Sequence, residues 1–262
     1  FEQFVADFNI GFKITKFIKA REIQKQIVWG QAYGDILKKI GYSAKNIFVT
    51  GRPLNTLIKN KYSGKKEPNR QELSEKLNIY IDKKWLFIAL TDPLAFVSDK
   101  VVKDLIDSGC NAAGLHQNRS EAKYILKKLA AWLNEYKNSN IEIIIRPHPS
   151  VPEESYLNYF KTNYGGVPDN VTVTKAFNAY KWISASDVYI TNHSTLIIEA
   201  NLLNVPTYIL NPDGFSPYYS SWYLQGLPVV RTFSDFQGAL QNHENYQFND
   251  TDYNYYIDTH KD

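Results

Sequence analysis

Three short runs limit the fold of this chain more than any other feature: "FIAL" at 87–90, "IEIII" at 141–145 and "VYIT" at 188–191. Each is apolar on nearly every residue rather than on alternate ones. A strand with one wet face alternates, whereas a strand covered on both faces reads as a continuous apolar run. That is the condition of parallel strands in α/β proteins. The segments between them carry helical spacing instead. "QAYGDILKKIG" at 31–41 puts Tyr33, Ile36, Leu37 and Ile40 on one side and stops at Gly41, a residue suited to a helix end. Helices are also expected over 120–138, with Ser120 as N-cap, over 153–164, over 178–186 and over 195–204. Further short strands are expected in "KQIVWG", "KNIFVTGRP", "NVTVTKA" and "PTYIL".

This alternation divides the chain. Strand, helix and strand within 25–53 form one β-α-β unit, so residues 1–60 read as the last such unit of a first domain. Residues 61–79 are polar and lysine-rich and carry Gly64 and Pro68. They are expected as a linker with a short helix in its second half. Residues 80–240 form a doubly wound parallel domain. The polar, tyrosine-rich residues 241–262 are a tail expected to drape over the surface. The chain opens on Phe1 and contains no Met, and it reads as a piece of a longer protein.

Composition removes several classes of function. A formal net charge of +3 over 262 residues is too small and too scattered for a nucleic-acid footprint. The single Cys110 excludes an internal disulfide and a cysteine-rich metal site. No apolar run reaches the roughly 18 residues of a membrane span. The five histidines show no metal-ligand spacing. No P-loop, no G-x-G-x-x-G after a strand and no G-x-S-x-G elbow is present. A hydrolase pair of Ser194 and His148 therefore has no supporting local signal.

Doubly wound sheets bind ligands beyond the carboxyl ends of their strands, so the residues just after each strand carry the information. Those turns hold Thr91 and Asp92; Arg146, Pro147, His148 and Pro149; Lys175, Ala176, Phe177 and Asn178; and Asn192, His193, Ser194 and Thr195. All are polar, and Arg146, His148, Ser194 and Thr195 supply donors for an anion. A helix starting at Ser194-Thr195 adds its free N–H groups. Glu199, about one turn further along, can accept hydrogen bonds from the vicinal hydroxyls of a ribose. Each part also has a purely structural reading: a capping hydroxyl, a solvated glutamate, a rigid Pro-His-Pro turn.

"RPHP" followed by "SDVYITNHSTLIIEANLLNVPTYIL" resembles the C-terminal domain of GT-B glycosyltransferases that build bacterial surface polysaccharides. The CMP-sugar users among them, Kdo and sialic acid transferases, carry an HP motif and a paired hydroxyl motif. Teichoic-acid polymerases share a similar pair. "IVWGQAYGDILKKIGYSAKNIFVTGRP" is similar to the last β-α-β unit of the N-terminal domain in these enzymes, in UDP-GlcNAc 2-epimerases and in CDP-glycerol transferases.

The resemblance implies a GT-B-like fold: a Rossmann-like donor domain plus the end of an incomplete N-terminal one. It implies an inverting glycosyltransferase with a nucleotide-sugar donor, CMP-linked and Kdo-like, and a glycan or glycolipid acceptor. The alternatives are a non-hydrolysing UDP-sugar 2-epimerase, a CDP-polyol phosphotransferase and a non-catalytic nucleotide-sugar-binding module. His148, best protonated, would act on the leaving phosphate with Arg146, Ser194 and Thr195. Glu199 and the backbone of Lys175, Ala176, Phe177 and Asn178 would hold ribose and base. Thr91, Asp92, Asn192 and His193 border the same site. No metal and no cofactor is expected beyond the donor itself, and no nucleic-acid partner. The location implied is cytoplasmic, at the inner face of a bacterial membrane. No acidic motif stands in residues 1–60 to serve as base; Asp7, Glu22 and Asp35 are isolated. The base is therefore expected outside this chain or, second, at Asp92.

Overall fold

A computed structural model describes residues 25–91, 93–136, 140–212, 214, 224 and 226–241. Asp92, residues 1–24 and the tail from 242 onward lie outside the described residues, so the expectations placed on them are not addressed by it.

The chain forms two parallel sheets. The first is a two-stranded pair, β1 (Gln26–Val28) and β2 (Ile47–Val49), joined through helix α1 (Gln31–Lys39). α1 ends at Ile40 with Gly41 in the left-handed region at φ 96°. The β-α-β reading of this segment thus holds. Helices α2 (Pro53–Tyr62) and α3 (Lys66–Leu77) follow. The stretch expected as a linker is therefore helical over most of its length. Composition made it look loose, but its charges have partners: Arg70 and Lys66 both reach Asp187, and Lys181 pairs with Glu72.

The second sheet has six strands: β3 (Lys84–Ile88), β4 (Ile141–Ile145), β5 (Val171–Val173), β6 (Val188–Thr191), β7 (Thr207–Leu210) and β8 (Val229–Val230). Their order is β5-β4-β3-β6-β7-β8, all parallel. The chain builds outward from β3 in one direction through β4 and β5. It then returns to β6 and builds outward in the other. This is the Rossmann strand order, with its reversal between β3 and β6.

Both faces are covered, as the continuous apolar runs require. Leu86, Ile88, Ile143, Ile145 and Ile190 point to a core shared with α5 (Ala112–Glu135), α6 (Glu153–Tyr164) and α9 (Phe233–Gln241). Trp85, Phe87, Ile144, Tyr189 and Ile209 point to the opposite core, closed by α3, α7 (Ala179–Ala185) and α8 (Leu196–Leu202). There the rings of Phe87 and Trp182 stack at 6.3 Å with 8° between planes.

The long helix starts earlier than its apolar spacing suggests. Asn111 caps it by accepting the Gly114 N–H at 2.9 Å. Ser120, expected as the cap, lies in the helix interior and donates to the His116 carbonyl. The spacing misled because the first two turns of α5 pack little apolar surface. Helix α4 (Asp99–Asp107), with Ser98 as N-cap, β8 and α9 were not anticipated at all. No described helix is long and apolar enough to cross a membrane.

Candidate functional site

The strand-order reversal opens a cleft of about 510 Å3 beyond the carboxyl ends of β3, β4 and β6. Its floor is tied across the two central strands. The Thr191 hydroxyl donates to the Ala89 carbonyl at 2.6 Å, and the Thr91 N–H donates to Asn192 Oδ1 at 2.8 Å. Asn192 is thus a buried brace of the cleft, while Thr91 and His193 line it. Its walls bring together Arg146, His148, Ser194 and Thr195, the four residues whose types pointed to an anion.

The β4–α6 turn is rigid by construction. Pro147 and Pro149 restrict the backbone on both sides of His148. The Val151 N–H closes the turn on the His148 carbonyl at 2.8 Å. Lys175 Nζ donates to the carbonyls of Pro149 (2.8 Å) and Val151 (3.2 Å), and Arg146 Nη1 donates to those of Lys175 (2.9 Å) and Ala176 (3.1 Å). The two neighbouring turns are therefore cross-braced, with each basic side chain holding the other's backbone. Burial pushes the Arg146 pKa down, opposed by the Glu153 carboxylate, which itself accepts the Lys175 N–H.

His148 has a defined tautomer. The Ser150 N–H donates to Nδ1 at 3.2 Å, so Nδ1 is an acceptor, and the Ser150 hydroxyl lies 2.7 Å from the same atom. The ring proton is then on Nε2. Partial burial, and secondly the Lys175 charge, lower the imidazole's pKa below its ordinary value. In the free protein both causes favour the neutral form, in which Nε2–H is the ring's donor.

On the other wall, the Ser194 hydroxyl accepts the Leu196 N–H at 3.2 Å, and the Ser194 N–H donates to Thr191 Oγ1 at 3.3 Å. Thr195 is the N-cap, yet its side chain makes no capping bond. Ser194 does the capping from one residue upstream and keeps a hydroxyl proton to donate. α8 is only 7 residues long, so its dipole adds little and the hydroxyls carry the donor character.

The ribose and base residues are placed differently. Glu199 is 2% exposed and does not line the cleft; its Oε1 accepts from Arg52 Nη1 at 2.8 Å. The Arg52 contact was missed, because 147 residues separate the partners. Among Lys175, Ala176, Phe177 and Asn178 the side chains are engaged within the protein. Phe177 sits at φ 60° with its ring edge-on to Trp182, and Asn178 caps α7 and donates to the Tyr62 hydroxyl at 2.8 Å. The backbone of Lys175 and Ala176 is engaged too, with Arg146, Glu153, Thr174 and Trp182, and none of the four residues lines the cleft. Trp29, after β1, lines the cleft and carried no signal in the sequence beyond following a strand. Among the described residues no group of three or more His, Cys, Asp or Glu could hold a metal ion.

The fold has solved counterparts. The wall teichoic acid polymerase TagF is 18% identical and superposes with a TM-score of 0.54 over 90% of this chain and 54% of its own. A TagF variant soaked with CDPG gives 16% identity and a TM-score of 0.50, over 90% and 49%. MnaA of S. aureus, solved with UDP, gives 12% identity and a TM-score of 0.52, over 91% and 57%. The chain spans about half the length of these proteins, and the likeness establishes a GT-B type of fold. No curated protein matches. Residues 17–256 match the family model described as CDP-Glycerol:Poly(glycerophosphate) glycerophosphotransferase. The closer resemblance to Kdo and sialic acid transferases is not upheld, since an HP turn and a hydroxyl pair are common to both groups. On a match of this extent, the chain belongs to the CDP-glycerol:poly(glycerophosphate) glycerophosphotransferase family.

Proposed function

We propose that this chain, with its donor-binding unit from about residue 80 onward, binds a CDP-polyol, with CDP-glycerol as the reference donor. It serves transfer of the polyol phosphate to a hydroxyl of a surface-polymer acceptor. The observation that carries this reading is the convergence of His148 Nε2–H with the Ser194 and Thr195 hydroxyls on one cleft at the strand-order reversal. A diphosphate needs donors from two sides, and the cleft supplies them. Family membership favours a CDP-polyol over the CMP-linked sugar expected from the sequence.

The acceptor oxygen attacks the phosphorus bearing the polyol. The anhydride P–O bond breaks, CMP departs with the bonding electrons, and the acceptor proton goes to a base expected outside this chain or at Asp92. Negative charge grows on the CMP phosphate as that bond breaks. Donors fixed around it by two braced turns stabilise that charge more in the transition state than in the ground state. Positioning and charge stabilisation are most of what such a transfer demands of a protein. Glu199, buried and paired with Arg52, anchors the helix that follows Ser194 and Thr195, and the Phe177–Asn178 backbone, next to the cleft-lining Ala179, reads the cytosine.

Calorimetry with CMP, CDP-glycerol, UDP and UDP-GlcNAc tests the reading. The two cytidine ligands should bind and the uridine ones bind at least about tenfold more weakly, the discrimination expected when a site's base-pairing groups are left unmatched. Preference for UDP would transfer the support to a sugar-nucleotide epimerase.

A further inference from the structure

The cleft has walls from two sheets, and one guanidinium joins them. Arg52 caps α2 between Gly51, in the left-handed region at φ 74°, and Pro53 at the first helical position, so its backbone direction is set locally. Its Nη1 reaches Glu199 of α8 at 2.8 Å, with the two side chains 9% and 2% exposed. Its guanidinium carbon lies over the Trp29 ring, 5.2 Å from the centroid, and Trp29 lines the same cleft as Ser194 and Thr195. Further from the cleft, α2 is held by a neutral contact between the Tyr62 hydroxyl and Asn178. Nearer the cleft, the buried amide of Asn55 hydrogen-bonds to no described group. At the cleft end, the Arg52–Glu199 pair ties α2 to α8.

We propose that Arg52 is a positioning residue for the donor. It holds α8 through the buried Glu199 carboxylate and the cleft-lining Trp29 indole through its ring, and so sets the spacing between Trp29 and the Ser194 and Thr195 hydroxyls. This rests on the CDP-polyol reading. The bond from Arg52 fixes the Glu199 rotamer and with it the start of α8. A planar guanidinium can pair in its plane and stack on its face at the same time, which an ammonium cannot.

A purely structural ion pair behaves otherwise. Buried pairs replaced together by well-packed apolar residues often lose no stability, whereas removal of one partner is costly. The Arg52→Met/Glu199→Met variant therefore separates the two roles. It should melt near the parent temperature but bind CMP at least about tenfold more weakly, because the Ser194 and Thr195 hydroxyls and the Trp29 indole lose their fixed spacing. Arg52→Lys should recover part of the affinity lost in Arg52→Gln. CMP should quench the emission assigned to Trp29 by Trp29→Phe, and the quench should vanish in Arg52→Gln. CMP affinity at parental strength in the double-Met variant, or a Trp29 quench that survives Arg52→Gln, overturns the proposal and leaves the donor reading standing. Failure of the parent chain to bind either CMP or CDP-glycerol overturns both.

Discussion

Replacing His148 is the sharpest test of the site, because the structure specifies which ring atom matters. Nδ1 is consumed by the Ser150 N–H, leaving Nε2–H as the donor to a phosphate oxygen. A hydrogen bond to a charged group contributes about 1.5–3 kcal/mol, so His148→Ala should weaken CMP by roughly 10- to 150-fold. His148→Gln can place an amide N–H near the Nε2 position and should recover part of that loss. His148→Asn reaches only as far as Nδ1 and should behave like Ala.

The pH dependence follows from the same geometry. Burial and Lys175 hold the free imidazole's pKa below its ordinary value, while a phosphate at Nε2 favours the imidazolium and raises it in the complex. Binding then takes up a proton. Affinity should rise as pH falls through the complex's pKa, level off below the free protein's pKa, and lose this slope in His148→Ala. For folding the sign is opposite. A lowered folded-state pKa contributes stability above about 6.5, the unfolded value, and that contribution is lost as pH falls through the folded value. Calorimetry across pH 5–8 measures the first. A slope unchanged by His148→Ala, or His148→Asn matching His148→Gln, would refute the assignment of Nε2 as the phosphate donor.

Asp187→Asn should destabilise the fold by about 3–5 kcal/mol in urea titration, since Asp187 joins Lys66, Arg70 at 3.0 Å and the Trp85 N–H at 2.7 Å. Burial alone would raise its pKa, but Lys66, the Trp85 N–H and Arg70 outweigh it and hold the pKa low. This stability is present above about pH 3.9 and is lost as pH falls through the lowered folded value. Phe87→Ala, at 0% exposure between Trp182 and Tyr189, should cost about 3–5 kcal/mol by the same assay and leave the cleft residues in place. CMP affinity should be the same within about twofold with and without EDTA, because side-chain and backbone donors serve the phosphate; a tenfold loss would show that an ion takes part.

What could be read from the sequence was whatever the chain encodes over a few residues. β3, β4 and β6 announced both covered faces because Leu86 and Ile88 pack one way and Trp85 and Phe87 the other. "EESYLNYFKTNY" matched α6 residue for residue, with acidic residues at its start and Gly165 in the left-handed region at its end. "RPHPS" and "NHST" could be identified because a ligand site on this fold gathers at strand ends. What escaped was long-range. The polar segment 61–79 looked like a linker because Asp187, which accepts its Lys66 and Arg70, lies more than a hundred residues away. The lowered pKa of His148 escaped for a related reason: it comes first from burial in the fold and second from Lys175 on the next strand's turn.

The same distance argument explains why the polar strand-end turns were legible in the sequence while the kind of donor was not. Phosphate recognition needs only donors at strand ends, and a Pro-His-Pro turn facing a Ser-Thr pair meets that need for any nucleotide diphosphate or monophosphate ester. The group that leaves and the group that moves are told apart by the rest of the cleft. One part of it is Trp29, brought in by a different sheet and oriented by Arg52, whose partner Glu199 stands on α8 of the larger sheet. Selectivity between a sugar and a polyol phosphate should therefore change more with Trp29 and Arg52 than with His148 or Ser194. If His148→Ala lowered CMP and CDP-glycerol affinity equally while Trp29→Ala lowered only CDP-glycerol affinity, phosphate capture and donor choice would be separate functions of the two walls. Equal loss of both ligands in Trp29→Ala would instead make the indole part of the nucleotide site.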